Sequence, residues 1–265
     1  MKIYRFKSVD STMNIAKSIL RGEVVLPETV EEVKEGENEV LSKISKRNII
    51  IADEQTAGRG RLDRKWQSDS DKGLYVTYLF SVSADNPNLN GFSLAVGIAV
   101  KRAIADLGKQ VKLKWPNDLV VFDQAGNLCK LGGILIELEK QAELLYISVG
   151  IGLNIKKVNY QNTMYKVCSL EELEGGGEIS SRVLFEALTA HFWNVCQTYF
   201  EVGFVAFQDE WLAHSVYLGM KIKIVSQAGE RFGIMSGIDQ AGRLLVADDA
   251  GVTTCIEIGD VSLRS

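Results

Sequence analysis

Short alternating segments follow one another closely between residues 119 and 151: Leu119–Phe122, Leu131–Leu138 and Leu144–Ile151, with the turn-forming run Asp123–Asn127 between the first two. Such spacing reads as neighbouring antiparallel strands and constrains the chain to a sheet-centred fold. Further strands are expected upstream at Lys2–Lys7, at the β-branched run Asn48–Ala52, at Gly73–Ser81 and at Val111–Trp115. Helical spacing appears after the cap residues Asp10–Ser11–Thr12, with Ile15, Ala16, Ile19 and Leu20 on one face and Gly22 as the stop. Longer helices are expected over Phe92–Leu107 and Ser180–Phe200, with a second one running to about His214. Together these give an α/β (α+β) fold: a mixed, mostly antiparallel sheet flanked by helices.

The pattern changes after Ser215. From Leu218 to Arg264 short strands are punctuated by Gln227–Ala228–Gly229, Asp239–Gln240–Ala241–Gly242 and Asp249–Ala250–Gly251, the signature of a small β-barrel. The expected division is therefore a domain over residues 1–215 and a second over 216–265. The charged stretch from about Val24 to Lys46 reads as a solvated, partly helical surface insertion.

The chain has 265 residues, 46% hydrophobic and 24% charged, with a formal net charge of -4. That balance suits a soluble protein with one sizeable core and gives no overall attraction to DNA. Lys101 and Arg102 interrupt the most apolar helical stretch, so it does not span a membrane. Cys129, Cys168, Cys196 and Cys255 are far apart in sequence and form no C-x-x-C pair; with only His191 and His214 besides, they read as reduced thiols of a cytoplasmic protein rather than zinc ligands.

The strongest chemical signal is Gly58–Arg59–Gly60–Arg61–Leu62–Asp63–Arg64–Lys65–Trp66, after Gln55. Glycines let backbone N–H groups converge on an anion, and arginines supply forked cations suited to phosphate and carboxylate. So much positive charge repels itself, which predicts a mobile loop that orders on a ligand. Read alone, the segment fits an exposed basic loop or an RNA contact equally well. It lacks the G-K-[ST] ending of a Walker loop. Asn117–Asp118 follows a strand end, where chemistry is common, but an Asn-Asp pair after proline is also an ordinary turn.

Four segments in order carry a family resemblance. Gln55–Thr56–Ala57–Gly58–Arg59–Gly60–Arg61 with Trp66, Lys114–Trp115–Pro116–Asn117–Asp118, Lys130–Leu131–Gly132–Gly133–Ile134–Leu135–Ile136–Glu137 and Gly150–Ile151–Gly152–Leu153–Asn154 resemble the signatures of biotin protein ligases, as does the closing Gly259–Ser265. The resemblance covers nearly the whole chain. It implies a class II synthetase-like fold of the biotin/lipoate ligase type, ATP and biotin as substrates with Mg2+, and a biotin carboxyl carrier protein as partner. Members of that family often pair through the central sheet, which leaves room for a homodimer.

By that resemblance Lys130, Arg59, Arg61 and Asp118 carry the chemistry, with Asp118 as a ligand of Mg2+. Biotin is met by Ser11, Thr12, Gln55, Gly58, Arg59, Gly60, Arg61, Trp66, Lys130, Gly133, Leu135, Gly150 and Leu153. The nucleotide is met by Arg61, Arg64, Trp66, Asn117, Asp118, Lys130, Asn154 and Arg264. One departure stands out: Met13 occupies the place where an asparagine is usual. Lipoate ligases and octanoyltransferases share the implied fold but usually lack the arginine loop. A non-catalytic carrier-binding protein is the alternative of another class.

Overall fold

The computed structural model describes the chain apart from residues 34–43, 86–87, 124, 159, 161–165, 174–176, 227–228, 258–261 and 265. Most of the expected charged insertion, the glycine break before Gly177, the Gln227–Ala228 turn, much of the closing Gly259–Ser265 segment and the Arg264 side chain lie outside the described residues.

The elements in chain order are β1 (Lys2–Val9), α1 (Thr12–Leu20), β2 (Thr29–Glu32), β3 (Ser45–Gln55), β4 (Gly73–Ser83), α2 (Phe92–Asp106), β5 (Lys112–Lys114), β6 (Asp118–Phe122), β7 (Leu128–Gln141), β8 (Leu144–Asn154), β9 (Lys166–Val167), α3 (Ser181–Val202), α4 (Gln208–His214), β10 (Lys221–Ser226), β11 (Gly229–Ile238), β12 (Leu244–Ala247), β13 (Thr253–Ile256) and β14 (Ser262–Arg264). They divide into two compact units, Met1–Pro87 with Phe122–Glu186, and Asn88–Val121 with Ala187–Ser265. These units do not follow chain order.

In the first unit the strands run in the order β2-β1-β3-β4-β8-β7, with β9 alongside β7. β1 lies parallel to β3, while β3–β4, β4–β8 and β7–β8 are antiparallel. β4 carries no exposed residue from Leu74 to Phe80. Leu74, Tyr75, Val76, Thr77, Tyr78, Leu79 and Phe80 are all buried, so both its faces are covered. Its polar positions are satisfied there: Ser81 Oγ meets Ser45 Oγ at 2.8 Å. The described start of the expected partly helical insertion is instead a strand, with Thr29–Glu32 pairing antiparallel to β1. Its β-branched Thr29 and Val30 favour that pairing.

In the second unit α2 is buried along nearly its whole length, from Phe92 to Ile104. The Phe92 ring lies 4.7 Å from that of Tyr199 on α3. Tyr199 Oη donates to the carbonyls of Asn88 and Asn90 at 3.1 and 2.8 Å. Glu210 on α4 receives Arg102 at 2.5 Å and Lys101 at 3.3 Å, the two charges that interrupt the helix's apolar run. The closing strands form a five-stranded antiparallel sheet ordered β13-β12-β11-β10-β14. Gly242 and Gly251 close its turns at φ 74° and 81°, values that suit residues without a β-carbon. Among the described residues no helix is long and apolar enough to cross a membrane.

Candidate active site

The site begins where β1 hands over to α1. Ser11 Oγ accepts the Met13 N–H at 3.3 Å, which is the expected N-cap. Thr12 donates both its N–H and its hydroxyl to Gln55 Oε1, at 2.9 and 3.2 Å, and accepts the Thr77 hydroxyl at 2.8 Å. Gln55 Nε2 in turn donates to Ser68 Oγ at 2.8 Å. Three residues from β3, β4 and α1 are thereby tied into one polar chain at the end of the sheet.

From Gln55 the backbone makes a hairpin. Trp66 N–H donates to Gly58 O at 2.9 Å, Gly60 N–H to Arg64 O at 2.7 Å, and Gln55 bridges to Ser68. Leu62 and Asp63 turn the tip at φ 57° and 54°, a left-handed conformation that non-glycine residues take at a cost of about 1 kcal/mol or more each. Arg61 is half-buried and Arg64 exposed.

The hairpin carries Trp66 onto a floor of glycines. Gly133 on β7 faces Gly152 on β8 directly, and Leu135 faces Gly150. A β-carbon on Gly152 would lie 2.6 Å from Trp66 Cε2 and Nε1, so only a bare backbone admits the indole there. A β-carbon on Gly150 would lie 2.9 Å from Met13 Sδ, and one on Gly133 3.4 Å from Lys130 Nζ. Lys130 Nζ stands 5.5 Å from the centroid of the Trp66 ring, within cation–π reach. Among the described residues, Trp66 Nε1 and Asn154 Oδ1 are buried without a hydrogen-bond partner, a state that native cores rarely tolerate. Asn154 Nδ2 donates to Cys168 O at 3.2 Å, and Leu153 is wholly buried while Leu135 is only partly so.

Arg59 points to a residue the sequence reading quoted but gave no role. Its guanidinium forks onto Glu137, Nη1 to Oε2 at 3.0 Å and Nη2 to Oε1 at 2.5 Å. Lys17 Nζ reaches the same carboxylate at 3.1 Å. Burial pushes the Glu137 carboxyl up, but the hydrogen bonds from Arg59 and Lys17 outweigh it and hold it below the ordinary glutamate value. Part of the loop charge expected to repel itself is therefore answered. A sequence signal existed: Glu137 is the first acid after the apolar run Ile134–Ile136.

Beside Lys130 the fold also joins two cysteines that look unrelated in sequence. β9 pairs with β7, and Cys168 N–H donates to Lys130 O at 3.0 Å. Burial and a hydrogen bond with Cys129 push the Cys168 thiol up to about 12.

Asn117 and Asp118 belong to the second unit. They sit half-buried where β5 turns into β6, with Lys114 opposite Asp118. Trp115 Nε1 donates to Gly242 O at 3.1 Å, and Pro116 O accepts from Ser93 Oγ at 3.1 Å, fixing the turn. Arg264 lies on β14, which pairs with β10.

Residues 24–154 match the model of the Biotin/lipoate A/B protein ligase family. The Escherichia coli K12 bifunctional ligase/repressor BirA is 29% identical over 227 residues, 85% of this chain and 69% of that protein. The Mycobacterium tuberculosis biotin--[acetyl-CoA-carboxylase] ligase is 29% identical over 219 residues, 80% of this chain and 77% of that one. The Aquifex aeolicus biotin protein ligase solved with biotin and ATP superposes with a TM-score of 0.74 at 26% identity, over 99% of this chain and 98% of that one. These likenesses align residues 24–154 of the chain with the biotin/lipoate A/B protein ligase family.

The first unit gathers Thr12 with Gln55, the arginine hairpin with Trp66, and Lys130 with the paired glycines of β7 and β8. Sequence reasoning passed over Glu137, Thr77 and the packing of Met13 against Gly150, because each depends on strands far apart in the chain.

Proposed function

We propose that this chain is an ATP-dependent biotin protein ligase. Biotin's carboxylate attacks the α-phosphorus of ATP, the bond to the β-phosphate oxygen breaks, and pyrophosphate leaves biotinyl-5′-AMP. The ε-amine of a lysine on a biotin carboxyl carrier protein then attacks the acyl carbon and displaces AMP. The observation that carries this reading is Lys130 standing against Trp66 above the facing pair Gly133 and Gly152, under a hairpin that bears Arg59 and Arg61.

The first step brings two anions together, and fixed cations in a water-poor site lower its barrier most. Lys130 is assigned to the carboxylate and α-phosphate, and Arg61 to the phosphates as the hairpin orders over them. Ser11, Thr12, Gln55, Gly58, Arg59, Gly60, Arg61, Trp66, Lys130, Gly133, Leu135, Gly150 and Leu153 are assigned to biotin. Arg64, Trp66, Asn117, Asp118, Asn154 and Arg264 are assigned to the nucleotide. Among the described residues no three His, Cys, Asp or Glu side chains gather as a metal group. Asp118 would be the carboxylate that helps hold Mg2+ beside the ATP phosphates, where the ion would offset their charge. Residues 1–215 are assigned to the catalytic domain and 216–265 to an SH3-like domain, in the cytoplasm, and the reading leaves room for a homodimer.

The family takes in both biotin and lipoate ligases, so the acid is the point to test. The protein is offered ATP, Mg2+ and either biotin or lipoate, with pyrophosphate release and the mass of the acyl-adenylate as readouts. Biotinyl-AMP is expected. Lipoyl-AMP alone would move the assignment to the sister activity, and no adenylate with either acid would leave a carrier-binding protein.

A further inference from the structure

Glu137 is separated from Arg59 by 78 residues, yet it is the anion on which the arginine hairpin rests. Both terminal nitrogens of Arg59 are engaged in the forked arrangement that guanidinium and carboxylate form best. Arg59 also stands at the base of the hairpin, bridged to Lys65 across it, while the tip is built from Arg61 to Arg64. The guanidinium side chain is 34% exposed and the carboxylate 25%, so the pair is partly withdrawn from water and only partly screened. Lys17 shares the carboxylate at 3.1 Å, and Arg59 Nη1 also donates to Asn14 Oδ1 at 3.4 Å. Asn14 is held by Asp10 Oδ2 at 2.7 Å. Removing the charge of Glu137 alone would leave Lys17 and Arg59 facing each other without the carboxylate they share.

We infer that Glu137 is a positioning residue: by clamping Arg59 it fixes the base of the hairpin on β7, and so holds Trp66 and Arg61 where the acid and the phosphates are met. The link to activity rests on the ligase reading above; the clamp itself does not. With the clamp released the hairpin swings away, and closing it again is charged against substrate binding. Glu137 is assigned no contact with either substrate, so the loss falls on binding rather than on the chemistry that follows.

The test compares the wild-type chain with Glu137→Gln, which keeps the shape and loses the charge, and Glu137→Asp, which keeps the charge on a shorter arm. Trypsin cleavage after Arg59, Arg61, Arg64 and Lys65 reports the hairpin with no substrate present. Glu137→Gln is expected to be cut roughly tenfold faster there, as charge-assisted hydrogen bonds of this strength imply, and Glu137→Asp to fall between the two. In the adenylation assay Glu137→Gln raises KM for the acid roughly tenfold, leaves kcat within about threefold, and transfers preformed biotinyl-AMP to the carrier at the normal rate. Should Glu137→Gln fail to fold, judged by its melting curve, Glu137→Asp alone carries the comparison. Equal protection of the hairpin in all three proteins, or a loss confined to kcat, would overturn the inference. Faster cleavage in a chain that makes no adenylate would uphold the clamp and sink the ligase reading instead.

Discussion

Replacing Gly152 with alanine tests whether the glycine floor exists to seat Trp66. The new β-carbon would sit 2.6 Å from Cε2 and Nε1 of the indole and 2.9 Å from Cζ2. Carbon atoms in contact settle near ~3.5 Å, so either Trp66 or the β8 backbone must give way by about 0.9 Å. The indole is rigid and β8 is paired on both sides, to β4 and β7, so neither yields cheaply. Overpacking of this kind costs about 1–3 kcal/mol, which is roughly a 5- to 150-fold effect. It should fall on acid binding, because the path of least resistance is for the hairpin to lift and carry Trp66 off Lys130. Gly150→Ala should be milder: it meets the flexible end of Met13 at 2.9 Å. Gly133→Ala should be milder still, since Lys130 Nζ is 3.4 Å away. The assay is pyrophosphate release against acid concentration, with a melting curve for each variant. If Trp66 mediates the effect, Gly152→Ala adds nothing in a Trp66→Ala background, a coupling that a double-mutant cycle reads directly. Wild-type KM in Gly152→Ala, or a larger defect in Gly133→Ala, would refute the reasoning.

Other outcomes follow from the same geometry. Lys130→Ala should lose roughly 10²–10³ in the rate of adenylation, the usual loss when one transition-state donor is removed; a near-normal rate would remove Lys130 from the chemistry. Glu137 is held below the ordinary glutamate value, so its stabilisation is complete above pH 4.5 and is lost as pH falls through that lower folded value; Glu137→Gln should flatten this part of the acid melting profile, seen in melting temperature against pH. Cys255 is exposed while Cys168 is buried with its thiol pushed up to about 12, so iodoacetamide at pH 8 should label Cys255 and spare Cys168, as peptide mass mapping would show.

Local elements were legible because their causes are local. The cap at Ser11, the α2 helix and the turns at Gly242 and Gly251 each follow from a few neighbouring residues, and the structure places them at or within a residue or two of the expected bounds. The strand at Thr29–Glu32 was missed because a highly charged stretch reads as solvated helix, and only β1 supplies the partner that makes it a strand. The arginine hairpin was found as a motif but not as a shape, since its counter-anion Glu137 lies on a distant strand.

The division has a physical basis. The sequence by itself determined which residue types the chain brings to its chemistry: an arginine-glycine segment, one lysine at the head of a strand, and glycines spaced along two neighbouring strands. Only the tertiary structure decided which of them meet. The β7–β8 register sets Gly133 opposite Gly152, β9 brings Cys168 to Cys129, and the packing of α1 puts Met13 on Gly150. Side-chain type is written residue by residue, whereas strand register is a choice that the whole sheet makes at once, because a slip of one position would turn every side chain to the opposite face.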